Sequence, residues 1–175
     1  MAETLKILET RRSCRAFKQE LIEEEKLQLI IRAGTYAASG MGKQSPIIIA
    51  VTNKEMRDRI SAMNAKIMGQ KEGFDPFYGA PEMLIVLAAK DVPTHVYDGS
   101  LVIGNIMNAA EDLGVGSCWI HRAKEEFESE EGKEILRSLG IEGEYEGIGH
   151  VALGYAASPA KGPAARKENY VYYIR

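Results

Sequence analysis

The sequence predicts an α+β layered fold, a central sheet surrounded by helices. Segments whose apolar residues return every three or four positions outnumber the short continuous apolar runs that suit strands. Those runs do not alternate strictly with the helical segments, as a βαβ chain requires. No internal repeat or second-domain boundary interrupts the 175 residues, so residues 1–175 read as one domain with room for a proper core.

Taken in order, Thr4 to Arg11 reads as a short helix with Leu5 and Leu8 on one side, followed by a loop at Arg12-Ser13-Cys14-Arg15. Glu23-Glu24-Glu25 opens a second helix, because carboxylates favour the positive end of the helix dipole. Leu27, Ile30, Ile31 and Gly34 carry its period, and Ala37-Ala38-Ser39-Gly40 end it in a turn that runs to Ser45. Pro46 to Val51 is an apolar run that predicts a buried strand. Met56, Ile60, Met63 and Ile67 mark a third helix from Lys54 to Met68, before a polar loop from Gly69 to Gly79. Met83 to Ala89 predicts a second buried strand. Asp98 is placed to cap a long apolar helix that Gly114 closes, and that helix should be central to the fold. Ser117 to His121 reads as a short strand, Glu130 to Leu139 as a helix stopped by Gly140, and Ile148 to Leu153 as a Gly-punctuated strand. A Pro-, Gly- and Ala-rich tether then leads to Tyr170-Val171-Tyr172-Tyr173-Ile174, a run with strand propensity. Such a run suits a partner subunit's surface or the edge of its own sheet.

Composition narrows the function classes. A net charge of −3 argues against a general nucleic-acid binder, so local basic clusters need their own explanation. Two cysteines give no disulfide framework, the opening Met-Ala-Glu-Thr has no secretory pattern, and no apolar run approaches the ~20 residues of a membrane span. The expectation is a reducing cytoplasm, with neither a membrane nor a nucleic acid as partner.

Arg11-Arg12-Ser13-Cys14-Arg15 packs three guanidiniums and a hydroxyl into five residues. Such a group is either a solvated surface or an anion site, since the guanidinium fork matches phosphate oxygens. Gly40-Met41-Gly42 and Gly114-Val115-Gly116 are plain turns or places where backbone N–H groups approach a ligand. Cys14 among cations is a candidate thiolate, with a small packed residue as the commoner fate. Trp119 either stacks on a ligand ring or packs in the core. Cys118 and His121 lack the further ligands a zinc site needs, His95 and His150 stand isolated, and no Ser-His-Asp arrangement is visible, so neither a metal nor a catalytic triad is expected. Arg166-Lys167 is a solvated tail or a second cationic contribution to the N-terminal cluster.

The order of these stretches resembles the FMN-dependent nitroreductase family over nearly the whole chain. Arg11 to Phe17 is similar to the family's Arg-Arg-Ser-x-Arg-x-Phe opening, and Ala33 to Gln44 to its Ala-Pro-Ser-x-x-Asn-x-Gln segment. Phe77-Tyr78-Gly79-Ala80-Pro81, Ala109 to Trp119, Leu153-Gly154-Tyr155 and Arg166-Lys167 follow in the family's order. Gly42, Ser45-Pro46 and Ala38 depart from it on the substrate side of the flavin, and Ala164 stands where many members have a basic residue.

The resemblance implies a mixed or antiparallel sheet flanked by helices, in an intertwined homodimer whose C-terminal strand joins the partner's sheet. It implies that Arg11, Arg12, Ser13, Arg15 and Arg166 hold the FMN phosphate and ribityl chain. Ser39, Met41 and Gln44 would reach the partner subunit's flavin, Asn64 would hydrogen-bond the ring edge, and Ser117, Cys118, Trp119 and Ile120 would run along the ring. The implied reaction takes hydride from NADH or NADPH through the flavin to a nitroaromatic, a quinone or a related small-molecule acceptor, with the cofactor supplying the chemistry. Rival readings are a protein that binds flavin or another phosphate ligand without turnover, and an α+β protein whose Arg cluster is only surface.

Overall fold

The computed structural model describes residues 3–175. Six helices and four strands form an α+β fold: α1 Glu3–Thr10, α2 Glu24–Thr35, a 3-10 turn at Gly40–Gly42, β1 Pro46–Val51, α3 Lys54–Ile67, β2 Glu82–Ala89, α4 His95–Asp112, β3 Gly116–Ile120, α5 Ala123–Glu128, α6 Glu130–Ser138 and β4 Tyr145–Gly154. The sheet order is β1-β2-β4-β3 and every pairing is antiparallel.

The period-2 geometry of β2 sorts its side chains into two cores. Met83, Ile85 and Leu87 enter one, with Ile60, Phe77, Phe127 and Ile135. Leu84, Val86 and Ala88 enter the other, with Ile30, Val102, Ile103 and Ile106. Helices α3, α5 and α6 thus cover one face, while α2 and α4 cover the other. Each fully buried Leu or Ile contributes about 1.5–3 kcal/mol relative to exposure.

Most local signals hold. The Asn53 side chain caps α3 by accepting from the Met56 N–H at 2.9 Å. Gly114 and Gly140 take positive φ just past α4 and α6.

Three expectations need correction, and one element was not foreseen. β1 is an edge strand and only half buried, with Val51 its one buried residue. Helix α4 starts at His95, and Asp98 lies inside its first turn instead of at the cap. α5, six residues long, is too short to show a period in the sequence. β4 starts at Tyr145, three residues before its apolar run, and carries a bulge where Val86 faces Gly149 and Leu87 faces Gly147. The run Tyr170–Ile174 forms no strand on its own chain and is exposed.

Candidate functional site

The N-terminal Arg run is placed by main-chain pairing. Ser13 bridges Ser117 in parallel, and the Cys14 N–H donates to the Ser117 carbonyl at 2.8 Å. Further along, Phe17 bridges Ala156, Lys18 donates to Tyr155 O at 2.8 Å, and Ala157 donates to Ala16 O at 2.9 Å. Residues 13–18 are therefore laid along the outer edge of β3 and the chain leaving β4. Gly116 permits the close approach, since a Cβ there would sit 3.0 Å from Cys14 Sγ and 3.1 Å from the Gly154 carbonyl.

This pairing closes a cleft of about 760 Å³ between the Arg run, the turn Gly114–Gly116 and the tail from Ala156 to Arg166. Five cations line it (Arg11, Arg12, Arg15, Lys161 and Arg166) against one carboxylate, Glu111. In a chain of net charge −3, that concentration gives the cleft a positive charge that suits an anion. Arg11 Nη1 and Arg12 Nε are buried and have no hydrogen-bond partner among the described residues. Unpaired buried donors are costly, and an incoming anion removes the cost. Arg12 Nη1 donates to the Arg11 carbonyl at 2.6 Å, and Arg166 Nη2 to Ala164 O at 2.7 Å. Ser13 and Cys14 also line the cleft. Cys14 is a half-buried thiol packed against the core, as its commoner reading has it. Burial pushes the Cys118 thiol up, with Arg15 and Ser13 opposing.

Structural comparison gives the setting of this cleft. Residues 8–155 match the model of the nitroreductase family. The chain belongs to that family. An Archaeoglobus fulgidus protein whose name suggests NADH dehydrogenase or NAD(P)H nitroreductase activity is 31% identical over 161 residues, covering 89% of this chain and 86% of its own. A Bacteroides fragilis nitroreductase solved with bound FMN superposes at a TM-score of 0.89, with 29% identity over 100% of both chains. A Desulfitobacterium hafniense nitroreductase with bound FMN superposes equally well, at 0.89, with 30% identity over 100% of both chains. The fold class, the antiparallel sheet and the family resemblance are therefore those of this nitroreductase-family chain.

The remaining residues singled out in the sequence are scattered. Ser39 and Gln44 line a separate cleft of about 410 Å³ beside α2 and β1, with Ile31, Ala38, Ile48 and Val102. Met41 projects from the loop between them, 81% exposed. Met41 and Gln44 hold φ of 53° and 50°, left-handed values that cost non-glycine residues of order 1–3 kcal/mol each. Ser117, Cys118 and Ile120 are buried along β3. Trp119 faces outward, and its indole lies where Gly149 has no Cβ to obstruct it, so the ring is partly packed and partly open.

Asn64 lies away from the cationic cleft. Its side chain is fully buried, and Nδ2 donates to the His121 carbonyl at 2.8 Å and to Glu126 Oε1 at 2.5 Å. Its amide donors are used inside the protein, while Oδ1 is buried with no partner among the described residues. Nor is His150 isolated: its Nε2 pairs with Glu126 Oε2 at 2.7 Å, with both side chains buried. Sequence separations of 24 and 62 residues hide this network from linear reading.

Sequence reasoning also missed Lys161 and Glu111 in the cleft wall, and Asp98 beneath the Ser39–Ser45 loop. Lys161 sits in a Pro-Gly-rich tether, a composition that suggests linker and not site. Among the described residues no three His, Cys, Asp or Glu side chains converge on a metal position, and no helix is long and apolar enough to cross a membrane.

Proposed function

We propose that this nitroreductase-family chain is a homodimeric FMN-dependent oxidoreductase that takes hydride from NADH or NADPH and passes it to a small-molecule acceptor such as a nitroaromatic or a quinone. The observation that carries the reading is the cationic cleft with its two orphaned guanidinium nitrogens, which is what a phosphate monoester needs. In this reading Arg11, Arg12, Arg15 and Arg166 bind the FMN phosphate, and Ser13 adds a hydroxyl donor. Ser117 to Ile120 supply backbone along the ring, leaving Trp119 as the exposed side chain of that edge. Bound flavin supplies two-electron transfer, so no side chain of the protein has to act as an obligatory acid or base. The protein's part is to bind, orient and shield.

A second copy completes the site. β3 has its outer edge covered by the Ser13 bridge, whereas β1 pairs only with β2 among the described residues. The apolar run Tyr170–Ile174 is exposed on its own chain, and its strand propensity suits that open β1 edge on a partner. Tyr97 and Leu101 are exposed on α4, and Gly104 between them and Asn108 faces open space, giving a stripe that a partner helix would cover. Ser39, Met41 and Gln44 then face the partner subunit's flavin.

The purified protein is expected to be yellow, with flavin bands that bleach anaerobically on adding NADH or NADPH. A colourless protein that takes up no FMN sinks the proposal. Bound FMN that neither nucleotide bleaches identifies a flavin-binding protein without turnover.

A further inference from the structure

The loop from Ser39 to Ser45 is strained and exposed at its tip; its own bonds, Gln44 N–H to Ser39 Oγ at 3.0 Å and Gly42 N–H to the Ser39 carbonyl at 3.1 Å, close the turn, and one carboxylate ties both of its ends to α4. Gly40 N–H donates to Asp98 Oδ1 at 3.0 Å, while the Ser45 and Thr94 hydroxyls both donate to Asp98 Oδ2 at 3.0 Å. One carboxylate thus joins the start of the loop, its end and the residue before α4. Asp98 is only 3% exposed, so these bonds are made out of water. Its pKa is held below the ordinary carboxylate range, with burial opposing and the Gly40, Thr94 and Ser45 bonds prevailing. The fit around Gly40 is tight, because a Cβ there would lie 2.2 Å from Thr94 Oγ1. Between the two anchors, Met41 and Gln44 are kept in left-handed conformations that a free loop would leave. The sequence marked Asp98 as a helix cap, and its side chain does something else.

We infer that Asp98 is a positioning residue that fixes Met41 and Gln44 for contact with the electron acceptor, and so sets acceptor affinity without touching acceptor or flavin. This rests on the proposed function for the loop's role at the partner's flavin, while the clamp itself is a property of this chain alone. Interactions that orient a substrate equally in ground and transition states change KM and leave kcat in place.

The test compares wild type, Asp98→Ala, Asp98→Asn and Gly40→Ala as full-length FMN-loaded proteins, with menadione as acceptor and NADH as reductant. In Asp98→Ala, amide exchange at Gly40 to Gln44 should accelerate at least about tenfold, and KM for menadione should rise about tenfold with kcat within about twofold. Asp98→Asn should recover most of that KM, since its Oδ1 still accepts from Gly40 and its Nδ2 can donate to either hydroxyl. Gly40→Ala keeps the carboxylate and drives the loop off Thr94, so it should match Asp98→Ala, which keeps the idea testable if Asp98→Ala fails to fold. A loop that exchanges faster with menadione KM unchanged overturns the inference, as does an asparagine variant no better than alanine. A wild type that binds no FMN is a different failure, that of the proposed function, and there unchanged loop exchange in Asp98→Ala and Gly40→Ala still refutes the clamp.

Discussion

Removing Arg11 separates cofactor binding from folding, because its guanidinium makes no ion pair or side-chain hydrogen bond among the described residues and its Nη1 lies buried without a partner. Arg11→Ala therefore deletes no bond that the folded chain makes and removes a buried unpaired donor, so the stability of the apoprotein should not fall. Bound phosphate is another matter. A hydrogen bond to a charged group is worth about 1.5–3 kcal/mol, which at about 1.4 kcal/mol per decade is about tenfold to a hundredfold in Kd. Arg15→Ala should behave alike, since Arg15 also lines the cleft. Lys167→Ala, which removes a charge just outside the lining and beside Tyr170, should change Kd by less than about twofold. The assay is FMN titration of dialysed apoprotein by fluorescence quenching, with a thermal melt of each variant alongside. If Arg11→Ala and Arg15→Ala both bind FMN as wild type does, the phosphate assignment is wrong. Equal losses in Tm and affinity would make Arg11 a structural residue.

Other perturbations probe assembly, packing and acid stability. Deleting Tyr170 to Arg175 should weaken the proposed dimer, seen by sedimentation velocity as a shift toward monomer at low micromolar concentration; an unchanged profile argues against the exchanged strand. Gly147→Ala would place a Cβ 2.1 Å from the Ala123 carbonyl oxygen, so β4 and α5 must part. Overpacking of about 1–3 kcal/mol, at roughly 2–4 °C per kcal/mol, should lower Tm by several degrees in calorimetry. The Tyr155 hydroxyl, with Lys26 second, holds the Glu23 carboxyl down at about 2, well below its ordinary 4.5. A depressed folded pKa gives stability that is complete above about pH 4.5 and fades as pH falls toward 2. Tyr155→Phe should therefore lose less stability than wild type between those limits in acid denaturation, and parallel acid limbs would count against the contact.

Much of the fold was legible because its signals are local. Pro46 and Asn53 bracket β1, the Asn53 side chain caps α3, and Gly114 and Gly140 end their helices with the φ that glycine tolerates. Elements whose signals are nonlocal were not legible. The first three residues of β4, Tyr145-Glu146-Gly147, lack an apolar run and are extended because they pair with Ala89, Ala88 and Leu87. Asp98 looked like a cap since its spacing to the helix was right, but two of its three partners are 58 and 53 residues away. Asn64 looked available because nothing near it in sequence announces Glu126. At the site, the Arg run was visible from composition alone, whereas its union with Arg166 depended on a resemblance. The bridges that create the cleft join residues about 100 and 140 positions apart in sequence, far beyond any periodic pattern.

The two clefts divide the proposed work unequally between subunits. The Arg run of the cationic cleft is fixed by main-chain pairing to β3 and to the chain leaving β4. Backbone bridges of that kind persist whatever the neighbouring side chains are, so the cationic wall is fixed by the fold of the chain itself. The Ser39–Gln44 segment instead lines a different cleft and ends in an exposed, conformationally strained tip. Strain of this sort persists only where the surroundings over-determine it; here Asp98 ties the loop's two ends and the Ser39 hydroxyl and carbonyl close the turn between them. A partner surface packed on the loop would add the rest. Under the proposed function, affinity for the cofactor then depends on the folded chain, and recognition of the electron acceptor on the proposed pair. Departures from the family pattern at Ala38, Gly42 and Ser45-Pro46 fall in or beside the second part. They can therefore retune the acceptor without disturbing the anchor at Arg11 to Arg15.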